Sequence, residues 1–420
     1  MQGIRALLVL LLACGMLRGY AVLSHEAIID SAWRDSIQPL LLKRFPQATP
    51  DDLLHARAYA YGGSILQDMG YYPFGNKFFS DLVHYVRSGD FVAELIRESQ
   101  DIDEYAFALG ALAHYAADNT GHPLAVNTSV ALQYPKLRRK YGPIVTYGDN
   151  PAAHLRVEFG FDVLEVAGGH YAPTEYHDHI GFEVSQRLLE ASFRNVYGLD
   201  LNDIFSDLDV AIGTYRFAVR TFLPLATKVA WALDKDQIRQ AQPSMTRARF
   251  LYNLRRSGYE REWGRGYRRP GVLARVLAFL FRILPKVGPL SAFSLKAPTP
   301  ETQKMFMASF NATLERYRAL LADAGAGRLH LENLDLDTGK PTQPAEYRLA
   351  DDTYSKLART LEEKHFAAAT AALESNVLSF FADPARPIAT RRDKRKWRET
   401  MRAVEEIQKA AGAGPKAPGP

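Results

Sequence analysis

From His25 to about Gln240 the apolar residues recur at helical spacing, in stretches such as "SHEAIIDSAWRDSIQPLLLKRF", "YAFALGALAHYAADN", "AAHLRVEFGFDVLEVA" and "DLDVAIGTYRFAVRTFLPLATKVAWAL". Apolar positions three and four apart make one stripe on a helix, whereas a half-buried strand needs strict alternation, which is scarce here. The pattern predicts an all-α domain whose helices are joined by short Gly/Pro/Asn loops such as "GYYPFGNKF" and "YGPIVTYGDNPAAH". Two later segments, "TQKMFMASFNATLERYRALLADA" and "YSKLARTLEEKHFAAATAALESNVLSFF", continue the helical period. We read a helical domain over 20–240, a basic and mostly helical C-terminal region over 241–390, and a basic, partly disordered tail over 391–420 rich in Gly, Ala and Pro at its end.

The first residues, "MQGIRALLVLLLACGMLRGYAVLSHE", carry one positive charge at Arg5 followed by an apolar run, too short to span a bilayer, and read as an export signal over 1–19. Export implies a secreted or periplasmic protein. Cys14 is the only cysteine of the 420 residues, so no intramolecular disulfide can form. "LLAC" also resembles a lipoprotein cleavage box, which would leave the chain lipid-anchored through Cys14. No later segment has eighteen uninterrupted apolar residues.

A formal net charge of +5 is mild for this length and does not itself imply a nucleic-acid or membrane partner. It is unevenly placed: between Arg255 and Lys286, nine Arg/Lys face two Glu, interleaved with aromatic and aliphatic residues. Val272 to Leu284 has the makings of an amphipathic basic helix for peripheral membrane contact; a core helix with solvated Arg275 and Arg282 is the competing reading. The acidic loop "LENLDLDTGKPTQPAEY" lacks the spacing and terminal Glu of a calcium loop, and no metal is assigned to it.

"ALAHYAADNTGHP" places His114, Asp118 and His122 four residues apart. On a helix His114 and Asp118 share a face and can hold one ion; His122 lies further along, where Gly121 and Pro123 are expected to end the helix. "NPAAHLRVEFGFD" supplies a second such pair, His154 and Glu158, while "LSHEAIID", "GGSILQDMG" and "FSDLVHYV" add His25, Asp68 and His84. Five histidines and three carboxylates are a nitrogen–oxygen donor set suited to Zn²⁺. Asp118, with two oxygens and a histidine on either side, is the candidate bridge between ions. His177 and His179 of "YHDHI" are spaced by two and read as loop residues.

The order His25, Asp68, His84, "HYAAD", His122, "HLRVE" resembles the bacterial zinc-dependent phospholipase C family, related in fold and three-zinc site to the single-strand-specific zinc nucleases. The resemblance spans about Tyr20 to Ile212. It implies two to three Zn²⁺ ions. One would be held by Asp68, His84, His114 and Asp118, and a second by His122, His154 and Glu158. A third would be held by His25, the bridging Asp118, and the amino group and carbonyl of a mature N-terminal Tyr20, where family members usually begin with Trp. Here His122 follows Asp118 more closely than in the known phospholipases, and the C-terminal half does not resemble the lipid-binding β-sandwich of the toxin members.

The implied activity is hydrolysis of a phosphodiester, with phospholipid preferred as substrate and Asp68 as the catalytic group orienting or deprotonating the attacking water. Single-stranded nucleic acid is the alternative substrate, for which Tyr71, Tyr72 and Phe74 are candidate stacking platforms, although the same three residues are equally suited to line an acyl or choline pocket. A non-catalytic protein with structural zinc and a membrane- or partner-binding basic region is the reading from a different class.

Overall fold

The sequence "FALGALAHYAADNTG" offers small or apolar side chains on all sides of a helix, and such a helix is stable only when surrounded. In the computed structural model, which describes residues 22–168, 181–217, 219, 296–383 and 385–412, this segment lies within helix Ile102–Gly121, where every residue from Glu104 to Gly121 is buried. The longer helices are α1 (Val22–Ala32), α2 (Pro50–Ser64), α3 (Lys77–Tyr85), α4 (Ser88–Glu98), α5 (Ile102–Gly121) and α6 (Pro151–Gly168). They are followed by α7 (Gln186–Tyr197), α8 (Leu208–Phe217), α9 (Pro300–Gly325), α10 (Arg348–Glu363), α11 (Ala371–Phe380) and α12 (Lys394–Gly412). The fold is all-α, as the periodicity predicts. Among the described residues the strands are one antiparallel pair, β1 (Leu334–Asp335) and β2 (Lys340–Pro341), with Leu334 opposite Pro341 and Asp335 opposite Lys340.

Helix starts follow local chemistry. At α2 the Thr49 hydroxyl accepts from the Asp52 amide at 3.2 Å while the Asp52 carboxylate accepts from the Thr49 amide at 2.8 Å, a reciprocal cap ahead of Pro50. At α5 the Asp101 carboxylate accepts from the Glu104 amide at 2.9 Å.

The central contact is α2 against α5. It is close because Gly110 has no side chain: a Cβ there would sit 2.2 Å from the Ala60 carbonyl oxygen and 2.8 Å from the Ser64 nitrogen. Helices α1, α4 and α9 also pack on α5. From α9, the Tyr317 hydroxyl donates to the Leu109 carbonyl at 2.9 Å, and the Phe306 ring stacks on Phe161 of α6 at 4.4 Å. Residues of α9, α10, α11 and α12 belong to the same hydrophobic core as those of α1 to α8.

Helix α5 ends at Gly121, as the Gly–His–Pro sequence leads one to expect, but the chain does not leave the helical path. It widens into a π-turn over His122–Val126, where the Asn127 amide donates to the His122 carbonyl, and resumes as the short helix Asn127–Gln133. Pro123 has no N–H to give, and a wider turn accommodates that loss. His122 itself still donates its amide to the Asp118 carbonyl, which keeps its side chain in step with α5.

No described helix is long and apolar enough to cross a membrane. The export segment 1–19 with Cys14, Tyr20, His177 and His179, the basic region 255–286 and the end of the tail all lie outside the described residues.

Candidate metal centre

Six elements converge on one buried point. His25 comes from α1, His84 from the last turn of α3, His114 and Asp118 from α5, and His154 and Glu158 from α6. Asp68 sits on a 3₁₀ turn, Leu66–Tyr71, just after α2, and His122 on the π-turn that extends α5. The 3₁₀ turn is fixed by its neighbour Gln67, whose amide donates to the Ala111 carbonyl at 2.9 Å. All eight side chains are at most 3% exposed.

Asp118 is at the junction. Its Oδ2 lies 3.1 Å from His114 Nε2 and 3.4 Å from His84 Nε2, while its Oδ1 lies 3.5 Å from both His25 Nε2 and His122 Nε2. Asp68 Oδ1 is 3.5 Å from His84 Nε2. On the other side, Glu158 Oε1 is 3.0 Å from His154 Nδ1 and 3.7 Å from His122 Nε2. Three groups, His25–His114–Asp118, Asp68–His84–His114 and His122–His154–Glu158, each bring their donor atoms within 4.8 Å of one another. Ligands at about 2.0–2.1 Å in a tetrahedron stand roughly 3.3–3.4 Å apart, so most of these separations suit zinc.

The hydrogen bonds behind the histidines set which nitrogen faces the centre. His84 Nδ1 donates to the Ser80 carbonyl at 2.7 Å, His114 Nδ1 to the Ser64 carbonyl at 2.9 Å, and His154 Nε2 to Asn127 Oδ1 at 3.0 Å. An imidazole that donates on one side presents a lone pair on the other, the arrangement in which histidine ligates metal. The His25 and His114 rings stack at 4.3 Å and 6°.

The electrostatics of the pocket call for a cation. Burial, and then the charges of Asp118, Glu158 and Asp337, push the Asp68 carboxyl well above its usual range. Burial raises Glu158 further than the adjacent His122 can lower it. Burial also opposes ionisation of Asp118, but His114 and His122 overcome it and hold that carboxyl well below the usual range. Burial first, then His114, lowers His25 well below an ordinary imidazole, and burial takes His154 down to about 3. His122 is the exception: despite burial, Asp118 and Glu158 raise it to about 9. Among the described residues no donor meets the carboxylate oxygens of Asp68 and Glu158, and those of Asp118 face only histidines. Buried acidic oxygens in that state are costly unless neutralised by a proton or a metal ion. The donor set fits zinc on type, spacing and orientation.

The structure thus gathers eight of the nine residues proposed as ligands, and the ninth, Tyr20, lies outside the described residues. His114 stands within reach of two groups, with His25 and Asp118 on one side and Asp68 and His84 on the other. The three aromatics near Asp68 separate: Tyr71 and Tyr72 are buried, Tyr72 packing edge-on to Tyr215 at 5.0 Å, and Phe74 is exposed. Two of the three supposed stacking platforms are therefore part of the interior.

The loop 331–347, to which its spacing assigned no metal, reaches this centre. It places Asp337 Oδ1 3.7 Å from His122 Nδ1. No local spacing announces that approach, because it depends on how β1 and β2 dock against α3 and α5.

An all-α scaffold that buries three groups of histidines and carboxylates, with Asp118 at their junction, is a candidate metal centre with a zinc-type donor set. The family model for zinc-dependent phospholipase C matches residues 24–206, a stretch that contains His25 through Glu158, and supports the family suggested by the motifs. No curated protein and no solved structure matched the chain.

Proposed function

We propose that this protein is a phospholipase C-type phosphodiester hydrolase acting on phospholipid, with two to three zinc ions at the centre. The observation that carries the reading is the position of Asp118, whose two oxygens face separate pairs of histidines: His84 and His114 on one side, His25 and His122 on the other. Zinc ions held there supply Lewis acidity, which activates water and stabilises charge on a phosphoryl group. The protein's own groups do the positioning. The Ser64 and Ser80 carbonyls orient His114 and His84, and Asn127 orients His154. Asp68, whose proton affinity is raised by burial and by neighbouring acids, is suited to accept a proton from the attacking water. Water then forms the new bond to phosphorus, the bond to the diacylglycerol oxygen breaks, and that oxygen takes up a proton.

The match to the phospholipase C family and the burial of Tyr71 and Tyr72 favour lipid over a stacked nucleic acid strand. Export through the 1–19 segment places the enzyme outside the cytoplasm, and cleavage after Gly19 would give the third ion an amino-terminal ligand at Tyr20. N-terminal sequencing of exported material tests that point, and an acylated Cys14 would refute it. The activity is tested on purified mature protein with phosphatidylcholine vesicles, single-stranded DNA and a generic phosphodiester. Release of diacylglycerol from the vesicles, abolished by chelator and restored by zinc, is the expected result. Zinc-loaded protein inert on all three would leave zinc with a structural role.

A further inference from the structure

We propose that Asp337, carried by the C-terminal hairpin outside the family-matched stretch, is the positioning residue of the His122–His154–Glu158 subsite. The inference rests on the metal-centre reading and extends it to a part of the chain which that reading does not use. His122 is spanned: its Nε2 faces Asp118 and Glu158, and its Nδ1 faces Asp337 Oδ1 at 3.7 Å. A carboxylate behind the non-ligating nitrogen of a histidine fixes the tautomer and ring orientation and makes the ligating nitrogen more basic. Asp337 stands outside the group of donor atoms that lie within 4.8 Å of one another, so it supports the ligand rather than joining the set.

The same residue holds the second histidine of the subsite through its backbone. The Asp337 carbonyl accepts from Asn127 Nδ2 at 2.8 Å, and Asn127 Oδ1 accepts from His154 Nε2 at 3.0 Å. One residue thus stands behind both imidazoles. It is itself anchored: Oδ2 accepts from the Tyr85 hydroxyl at 2.8 Å and closely from the Tyr347 hydroxyl, and its amide donates to Asp335 Oδ1 at 3.0 Å. With Oδ2 engaged by two phenols, Oδ1 is the oxygen turned to His122.

The hairpin is built to sit there. The Leu336 amide donates to the His84 carbonyl at 3.2 Å, and the Ser88 hydroxyl donates to the Leu334 carbonyl at 2.6 Å. Gly339 makes the turn at φ +68°, and a Cβ at that position would lie 2.5 Å from the Asn119 carbonyl oxygen of α5. Only glycine satisfies both the backbone angle and the approach. Asp337 is buried, 3% exposed, on the same side of the hairpin as His122 Nδ1.

The test compares full-length wild type, Asp337→Asn and Asp337→Ala, each loaded with zinc. Zinc content is measured by elemental analysis, zinc release to a chromophoric chelator by stopped flow, and the unfolding midpoint on metal-free protein. Asn keeps the size and can still accept from the tyrosines but removes the charge. The expected result is one ion released about 10- to 100-fold faster in both variants, the remaining zinc released as in wild type, and an unchanged metal-free midpoint for Asp337→Asn. A purely architectural role would lower the metal-free midpoint and leave the release trace alone, which overturns the proposal. Should Asp337→Asn not fold, Tyr85→Phe, which removes one anchor of Oδ2, should release the same ion at an intermediate rate; a wild-type rate there overturns the proposal equally. Wild type that binds no zinc refutes the metal-centre reading itself, a result distinct from zinc-loaded wild type and variants that behave alike.

Discussion

Asp118 shows how much one side chain can be asked to do. If each of its oxygens serves a different ion, Asp118→Ala opens two coordination shells whereas Glu158→Ala opens one, so the first variant should lose about two zinc ions and the second about one. Elemental analysis after gel filtration decides it, and equal losses would argue against a bridge. Asp68 gives a kinetic counterpart: Asp68→Asn should lower kcat by about 10²- to 10⁴-fold with little change in KM, as removal of a proton acceptor does. An unchanged kcat at full zinc occupancy would return Asp68 to a structural part. The pH dependence follows from the metal-free protonation states. His122 holds its proton up to about pH 9, so binding zinc must displace a proton that this group retains near neutrality, and the raised proton affinity of Asp68 and Glu158 acts in the same direction. Apparent zinc affinity should therefore rise between pH 7 and pH 9, with protons released on loading; a chelator competition at three pH values and a weakly buffered titration measure both, and a flat affinity contradicts the assignment. The pairs His114–Asp118 and His154–Glu158 were legible in the sequence because i, i+4 spacing encodes its own geometry, whereas His25, Asp68 and His84 gained weight only beside those pairs and from the family resemblance. Asp337 was not legible, since nothing about "LDLDTGK" says which surface that turn will meet.

Among the elements, α5 was the most readable and its exit the least. An unbroken run of small and apolar residues fixes a buried helix, and Gly121 and Pro123 mark its end. That the chain would continue through a π-turn, keeping His122 in register with Asp118, depends on packing against the neighbouring elements and left no mark in the spacing. The α2–α5 contact gives a direct test of how the helices set the site. Gly110→Ala would push a methyl into the backbone of Ala60 and Ser64, which cannot move aside as a flexible side chain can. Overpacking of this kind costs about 1–3 kcal/mol. The separation of the helices would also draw the Ser64 carbonyl away from His114 Nδ1. We expect a lower denaturation midpoint together with weaker zinc binding. A variant with wild-type midpoint and zinc content would show that the close approach is not needed.

Across the whole molecule, the periodicity foretold helices in both halves but carried no information on how the halves meet. In the structure α9 lies along α5, burying Phe306, Phe310, Tyr317 and Leu321 and giving the Leu109 carbonyl its hydrogen bond from Tyr317. Burial of side chains this size is worth about 1.5–3 kcal/mol each, so these four alone represent about 6–12 kcal/mol, as much as the net stability of a typical domain. The hairpin adds a chemical dependence, because it delivers Asp337 to His122. A fragment ending at residue 240 would keep every ligand from His25 to Glu158 yet lose both the cover of α5 and the support of His122. It should expose apolar surface that binds a hydrophobic dye, unfold without a sharp transition and retain less than the full zinc complement. Adding a separately produced 296–412 segment should restore part of the transition, because the lost contacts are non-covalent. Calorimetry and zinc analysis of the fragment provide the check: cooperative unfolding with wild-type zinc content would mean that the helical domain is self-sufficient and that α9 and the hairpin merely rest upon it.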